Sequence, residues 1–243
     1  MATTLPALTL LHGARANAEQ LATLAGALEK HCNAFLPNLI GHGGRAIPDR
    51  FTIETLAEDL LAQLDEQGIN ATFLFGYSIG GYVALHLARH HPERVLGVVT
   101  LATKVVFDQA TVDFWTHLSG VQRIRETQAD EMNRRHPGQN WDRLVSGLAE
   151  MYRALGRRAP LTDYDFAHIS VPVLVIAASN DQLVPWVEAL RLANLIPGAQ
   201  GFTFAGKAHP LNVIPPQFLA TVIGTWLVSR AEQSQAGGGG RPA

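Results

Sequence analysis

The chain has 243 residues, with 19 Lys and Arg against 21 Asp and Glu and a net charge of −2 at pH 7. Hydrophobic residues make up 47% and charged residues 16%, which excludes a disordered chain and favours one globular domain. The balanced charge predicts no nucleic-acid partner, and no apolar run reaches the roughly 18–20 residues that cross a bilayer. A single cysteine, Cys32, excludes an internal disulfide and a thiolate metal cluster. We therefore expect a cytoplasmic protein whose N-terminus begins a strand rather than a signal peptide.

Short apolar segments of strand type alternate with helical patterns along the chain. Six strands are predicted, over residues 7–11, 34–37, 71–75, 95–101, 171–177 and 201–205. Helices with one apolar face are predicted over residues 18–30, 53–67, 79–89, 185–196 and 216–230. This alternation predicts an α/β fold, with a mostly parallel sheet of about six strands flanked by helices.

One interval interrupts the alternation between the fourth and fifth predicted strands. It contains no convincing strand but has many aromatic residues and helical patterns over residues 107–118, 121–135 and 141–155. A helical insertion there usually covers the sheet edge where α/β proteins bind ligands, so we predict a helical lid; the alternative is a plain layer that seals the core. The predicted domains are a core of residues 1–102 and 169–230, the lid 103–168 and a disordered tail 231–243 with four successive glycines.

A serine between glycines, Gly76-Tyr77-Ser78-Ile79-Gly80, follows the third predicted strand and directly precedes a helix. A serine on such a tight turn projects from the carboxyl edge of the sheet, and the flanking glycines let the backbones pass closely. The helix N-terminus behind it favours developing negative charge. Ser78 is therefore the predicted nucleophile, and the alternative is a glycine-rich turn with an incidental serine.

A serine nucleophile needs a general base, and a histidine base needs a carboxylate that fixes its tautomer. Of the ten histidines, His209 differs because it lies in the loop between the last predicted strand and the final helix, from which it can reach Ser78. Asp181 follows the fifth predicted strand at the same sheet edge and is the predicted acid, with Asp108 as the other candidate. The predicted catalytic residues are thus Ser78, Asp181 and His209.

The oxyanion of an acyl-transfer reaction needs N–H donors. Candidates are the backbone N–H of Ile79, directly after the nucleophile, and that of Ala14, in the turn after the first strand. For His12, in the same turn, we expect a hydrogen bond that fixes the loop rather than a catalytic role. No metal-binding motif and no phosphate-binding loop is present, so neither a metal nor a cofactor is predicted. An apolar substrate pocket is expected around His12, Tyr77, Trp115 and Trp186.

The order of Ser78, Asp181 and His209 along the chain, with His12-Gly13 after the first strand, resembles the α/β-hydrolase fold family. Further matches are Gly-His-Gly at residues 41–43 and Asp-Gln-Leu-Val-Pro at residues 181–185. The similarity covers nearly the whole chain apart from the lid and the tail. It implies the α/β-hydrolase fold and is closest in pattern to serine esterase-like members with a small helical lid.

The predicted function is hydrolysis of a carboxylic ester, lactone or thioester with a small apolar acyl group through an acyl-enzyme. Two alternatives stay open: a C–C bond hydrolase or lyase acting on a small carboxylate or diketone, as in relatives with the same triad, and a low-turnover ligand receptor. Residues 122–158 hold eight arginines against five acidic residues. We expect a solvated helical face there, or alternatively a surface that attracts an anionic substrate or an acidic carrier protein. The protein is expected to be a monomer or a homodimer.

Overall fold

The computed structural model describes residues 5–206, 208, 209 and 211–237, without the side chains of residues 212 and 232–237. All six predicted strands form: β1 (Ala7–Leu11), β2 (Asn33–Phe35), β3 (Thr72–Tyr77), β4 (Val95–Leu101), β5 (Val173–Ala178) and β6 (Gln200–Phe204). They build one parallel sheet in the order β2-β1-β3-β4-β5-β6. This confirms the predicted α/β fold.

Helices cover both faces of the sheet. They are α1 (Ala22–Leu28), α2 (Ile53–Glu66), α3 (Ile79–His90), α4 (Gln109–Leu118), α5 (Val121–Arg135), α6 (Trp141–Arg157), α7 (Asp163–Ala167), α8 (Trp186–Leu195) and α9 (Pro216–Gly237). Two apolar cores lie against the sheet, one under α1 and α9 and the other under α2, α3, α8 and the helices inserted between β4 and β5. Successive strand residues enter opposite cores, as Leu74 and Phe75 do, because side chains alternate across a strand.

The inserted helices α4, α5 and α6 begin after a segment that a buried glutamate holds against the core. Glu188, on α8, is 7% exposed and accepts hydrogen bonds from the backbone N–H groups of Val105 and Val106 at 2.6 and 2.7 Å. Its other oxygen pairs with Nζ of Lys104 at 2.5 Å. A buried carboxylate whose oxygens are all used in this way fixes the start of the insertion relative to β4 and α8.

Apart from shifts in the bounds of several strands and helices, two features differ from the sequence prediction. The short helix α7 was not predicted; it forms because Thr162 and Asp165 exchange the two hydrogen bonds of a capping box. The predicted disordered tail is wrong over residues 231–237, since α9 continues to Gly237. Those residues are mostly good helix formers, so the helix propagates until the glycines begin. The remainder of the predicted tail, residues 238–243, lies outside the described residues. Within the described ranges, no helix is long and apolar enough to span a membrane.

Candidate active site

Ser78 lies on a sharp turn that joins β3 to α3. Its backbone has φ 55° and ψ −118°, a conformation that a residue with a side chain adopts only under strain. The N–H of Ser78 donates to the carbonyl of Leu101 at 2.9 Å, and its own carbonyl accepts from Gly81 at 3.0 Å. These bonds hold the strained residue at the carboxyl edge of the sheet, where the sequence placed the nucleophile.

The glycines around Ser78 are required by close backbone contacts. A Cβ at Gly76 would overlap the backbone of Gly81, and one at Gly80 would lie 2.5 Å from the carbonyl oxygen of Leu11. The turn can therefore form only where these positions lack side chains. The close approach at Gly80 also places the end of β1 beside the first turn of α3, two residues after Ser78.

His209 and Asp181 are hydrogen-bonded to each other near Ser78. Nδ1 of His209 donates to Oδ2 of Asp181 at 2.8 Å, which leaves Nε2 of the ring free to exchange a proton. The other oxygen of Asp181 accepts from the N–H groups of Leu183 and Val184 at 2.8 and 2.9 Å. The Asp181 side chain is fully buried, so these three donors stabilise its charge where water cannot.

The hydroxyl of Ser78 forms no hydrogen bond within the part of the chain that the structure describes, either to His209 or to another group. Such contacts are often long in the absence of substrate and tighten in the reacting complex. Ser78 and His209 nevertheless line the same cavity. The other acid that the sequence offered, Asp108, is exposed and caps α4 by accepting from the N–H of Thr111 at 2.8 Å. The structure thus brings Asp181, and not Asp108, to His209.

Two aromatic residues predicted for the pocket pack around His209. The hydroxyl of Tyr77 donates to the backbone carbonyl of His209, and the two rings lie 5.3 Å apart. Burial raises the pKa of Tyr77, so the phenol stays protonated and remains a donor. Trp115, on α4, meets the His209 ring edge to face at 6.1 Å and stacks on Tyr152 at 5.3 Å. Tyr77 and Trp115 both line the cavity.

The cavity in front of Ser78 has a volume of about 590 Å³. Gly13 and Ala14 form one side of it, and the N–H of Gly13 is held by the side chain of Gln20 at 2.9 Å. The N–H of Ala14, by contrast, makes no hydrogen bond to any described residue. Most of the remaining wall is apolar, from Leu24, Trp115, Leu118, Leu183, Leu211 and Leu219.

Two pocket predictions are wrong. His12 is fully buried and does not line the cavity; Nδ1 donates to the carbonyl of Gly13 at 2.8 Å and Nε2 accepts from the N–H of Leu39 at 3.1 Å. It fixes the loop after β1, as the hydrogen-bonding alternative expected. Trp186 is 45% exposed at the start of α8 and is not among the cavity residues. Sequence position places it near the sheet edge, but its ring lies on the surface.

The cavity also contains two charged residues that the sequence did not predict, Arg15 and Arg135. Arg15 directly follows Ala14, and Arg135 ends α5 in the insertion. No motif signals either residue, because arginine is common on surface loops and helix ends. Among the described residues, no group of three or more His, Cys, Asp or Glu side chains is placed to hold a metal ion.

Comparison with known proteins assigns the chain to a family. The model described as the alpha/beta hydrolase family matches residues 10–222. A pimeloyl-acyl-carrier-protein methyl ester esterase from Vibrio vulnificus is 27% identical over 242 residues, which cover 87% of this chain and 90% of that protein.

Solved structures share the fold. A hydrolase from Pseudomonas aeruginosa superposes with a TM-score of 0.73 at 22% identity, over 92% of this chain and 90% of that one. An esterase from Thermogutta terrifontis gives a TM-score of 0.73 at 24% identity, over 93% and 91% of the two chains. At these identities the two structures support the fold alone.

Because several histidines are buried, we predict that the free energy of unfolding decreases at acidic pH. Burial lowers the pKa of His12 to about 4, and also lowers those of His42 and His136. They are neutral in the folded protein, whereas the unfolded chain binds protons near pH 6.5. Stability is therefore complete above pH 6.5 and is lost as the pH falls toward 4. By pH 5, His12 alone should cost about 2 kcal/mol of unfolding free energy.

Urea denaturation between pH 7.5 and pH 5 measures this loss. The variant His12→Gln removes one titrating group and should lose about 2 kcal/mol less than the wild type over that range. The exposed His168 provides the matched control, and His168→Gln should keep the wild-type dependence. Equal pH dependence in wild type and His12→Gln would contradict the assignment of a neutral His12.

Proposed function

The chain belongs to the alpha/beta hydrolase family, and from this premise we propose that it is a serine esterase that cleaves a carboxylic ester, lactone or thioester with a small apolar acyl group. The observation that carries the proposal is the hydrogen bond between His209 and buried Asp181, in a cavity that also contains Ser78. A histidine held by a carboxylate beside a serine on a strained turn is the arrangement that acyl transfer needs. The esterase activity of the Vibrio vulnificus relative supports the same reaction type.

In the proposed mechanism, Oγ of Ser78 attacks the ester carbonyl while Nε2 of His209 takes its proton. The carbonyl π electrons move to the oxygen, which becomes an oxyanion, and Asp181 stabilises the imidazolium. Collapse of this intermediate breaks the bond to the alcohol oxygen, which receives the proton from His209. Water, activated by His209, then attacks the acyl-serine, and the acid leaves with Ser78 restored.

The oxyanion would be stabilised by the backbone N–H groups of Ala14 and Ile79. Two observations support this choice. The N–H of Ala14 faces no other acceptor among the described residues, and Ile79 is the first residue of α3, where N–H groups have no partner within the helix. The close approach of Gly80 to the carbonyl of Leu11 brings the two loops side by side, which supports a role for both donors in one preorganised site.

The cavity supports a small, mostly apolar substrate. Its volume of about 590 Å³ lies within the ordinary range for small-molecule sites, and leucines and Trp115 supply most of its wall. A second, very small cavity at Ser78 is lined mostly by apolar and aromatic residues, together with one cation: Ile79, Lys104, Phe107, Trp115 and Tyr152. An acyl group or alcohol of a few carbons fits such apolar surfaces better than a sugar or a peptide, which carry polar groups along their whole length.

Labelling of Ser78 tests the proposal without knowledge of the natural substrate. A fluorophosphonate should add once to the wild type, as measured by intact-protein mass, and not to Ser78→Ala, because only an activated serine attacks phosphorus readily. The wild type should also release nitrophenol from short para-nitrophenyl esters. Ser119→Ala, at a buried serine outside the cavity, is the control and should label like the wild type.

A folded wild type that neither labels nor hydrolyses short esters would contradict the esterase proposal. That result would favour the two alternative functions, a C–C bond hydrolase and a ligand receptor. Cleavage of a bound diketone would then indicate the hydrolase, and binding without cleavage would indicate the receptor.

The choice of acid is tested by a matched pair of amide substitutions. Asp181→Asn should lower kcat by about 10⁴-fold, because an amide no longer imposes the reactive histidine tautomer. Asp108→Asn makes the same carboxylate-to-amide change at the residue that caps α4, and it should leave kcat within a few-fold of the wild type. Steady-state hydrolysis of a para-nitrophenyl ester measures both. The reverse order of effects would move the acid role to Asp108.

For a carrier-linked substrate, we propose an acidic carrier protein as the partner. Arg153 and Arg157 lie four residues apart on α6 and are both exposed, so they present two positive charges on one helix face. The named substrate of the Vibrio vulnificus relative, an ester on an acyl carrier protein, is compatible with such a face. Charged surfaces of this kind mainly accelerate association, and the effect weakens with salt.

The double variant Arg153→Gln/Arg157→Gln tests this partner. Its kcat/KM for a methyl ester on an acidic carrier protein, divided by that for the free methyl ester, should fall about tenfold at low salt. The exposed Arg50, outside the insertion, supplies the control Arg50→Gln, which should keep the wild-type ratio. An unchanged ratio in the double variant would exclude this face as the carrier-binding surface.

A further inference from the structure

Arg15 is a half-buried cation inside the cavity of Ser78. Within the described ranges no carboxylate lies within ion-pair distance of its guanidinium, which donates only to the backbone carbonyl of Leu118, at 3.4 Å. A guanidinium has five N–H donors, so most of those of Arg15 remain available to a ligand. Charges that leave water are normally paired, and half-buried Arg15 has no carboxylate partner among the described residues.

The backbone of Arg15 is strained in a way that places this side chain. Its φ is +58°, in the left-handed region that glycine occupies at little cost and arginine rarely adopts. The carbonyl of Arg15 is held from the insertion, by Nε2 of His136 at 3.2 Å and by Nη1 of Arg135 at 3.3 Å. This position suits glycine, yet it holds an arginine whose backbone carbonyl accepts two hydrogen bonds. Strain of this kind at a cavity residue points to a function for the side chain.

The surrounding charges leave an uncompensated positive charge in the cavity. Glu131 is the carboxylate whose charge reaches Arg15, but it is beyond ion-pair distance of Arg15 and is paired with Arg135 at 2.5 Å. Tyr152 lies close to Arg15, but burial raises the pKa of its phenol to about 12, so it is neutral. Arg123, also near Arg15, adds a further positive charge. Burial lowers the pKa of Arg15, but a guanidinium stays protonated at neutral pH.

We propose that Arg15 determines substrate specificity by binding a carboxylate on the ester that Ser78 cleaves. The inference rests on the esterase function proposed above and adds the class of its substrate: an ester with a short apolar stem and a negatively charged end. The planar guanidinium binds a carboxylate through two parallel hydrogen bonds. Of the two arginines that line the cavity, Arg135 is paired with Glu131, and Arg15 has no ion-pair partner among the described residues. One such guanidinium matches a monoanion, whereas a phosphate monoester carries about −1.5 to −2 charge and would need a second unpaired cation in the cavity.

Two matched pairs of esters test the proposal, because the charge can lie on either side of the scissile bond. Mono(para-nitrophenyl) adipate and para-nitrophenyl hexanoate differ in charge on the acyl side. Para-acetoxybenzoate and para-acetoxybenzamide differ on the alcohol side. The measured quantity is the ratio of kcat/KM for the anionic ester to that for its neutral counterpart, which corrects each variant for general loss of activity.

In the wild type we expect at least one pair to give a ratio of about ten or more, as one charged hydrogen-bonded contact provides. Arg15→Gln should bring that ratio close to one, and Arg15→Lys, which keeps the charge but not the planar donor pair, should lie between them. The control is Arg134→Gln, which removes the same charge from an exposed position outside the cavity and should keep the wild-type ratio.

A further variant tests whether the effect comes from the missing guanidinium or from a disturbed loop conformation. Glycine accepts the φ of Arg15, so Arg15→Gly should keep the turn while it removes the guanidinium, and it should lose the same preference. Neutral-ester hydrolysis without preference for either anionic ester, or a preference that survives both Arg15→Gln and Arg15→Gly, would overturn the role of Arg15 and leave the esterase proposal standing. Absence of both labelling and ester hydrolysis in the wild type would overturn the two together.

Discussion

The close packing of backbone around Ser78, between β3 and the first turn of α3 and between that turn and the end of β1, is the constraint on which the rest of the site depends. At Gly76, Gly80 and Gly81 a single added carbon would collide with a neighbouring chain segment. The contact of Gly80 with the carbonyl of Leu11 joins the turn after β3 to the end of β1. These contacts therefore fix the positions of three parts of the site relative to one another: the strained serine, the first turn of α3 and the loop that contains Ala14. Preorganisation of this kind lets a site stabilise developing charge without reorganising its groups during the reaction.

A second constraint comes from the carboxylate of Asp181. One of its oxygens folds the turn after β5 by accepting from Leu183 and Val184, and the other orients His209. The loop after β6 is held from the opposite side, because Tyr77 at the end of β3 donates to the carbonyl of His209. The histidine is thus positioned by residues from two different strand ends, and its location depends on the sheet rather than on its own loop.

The parts of this structure that follow from local chemistry could be predicted from the sequence. Short apolar segments between helical patterns identified all six strands, and the glycines around Ser78 identified the sharp turn, because few other residues tolerate such contacts. Side-chain direction could not be predicted in the same way. His12 and Trp186 both follow strands at the carboxyl edge, yet His12 points into the core and Trp186 to the surface. Arg15 escaped prediction because residue type gives no sign that arginine adopts a left-handed conformation.

The helical insertion forms part of the cavity wall rather than only a layer over the core. Trp115, Leu118 and Arg135 all contribute to the cavity that contains Ser78. At the end of α5, Nδ1 of His136 accepts from the N–H of Gly43 at 3.0 Å while Nε2 donates to the carbonyl of Arg15. One neutral imidazole therefore joins the insertion to the loops after β1 and β2. Because the strained turn of Arg15 depends on that bond, the insertion helps to set the charge and the shape of the pocket.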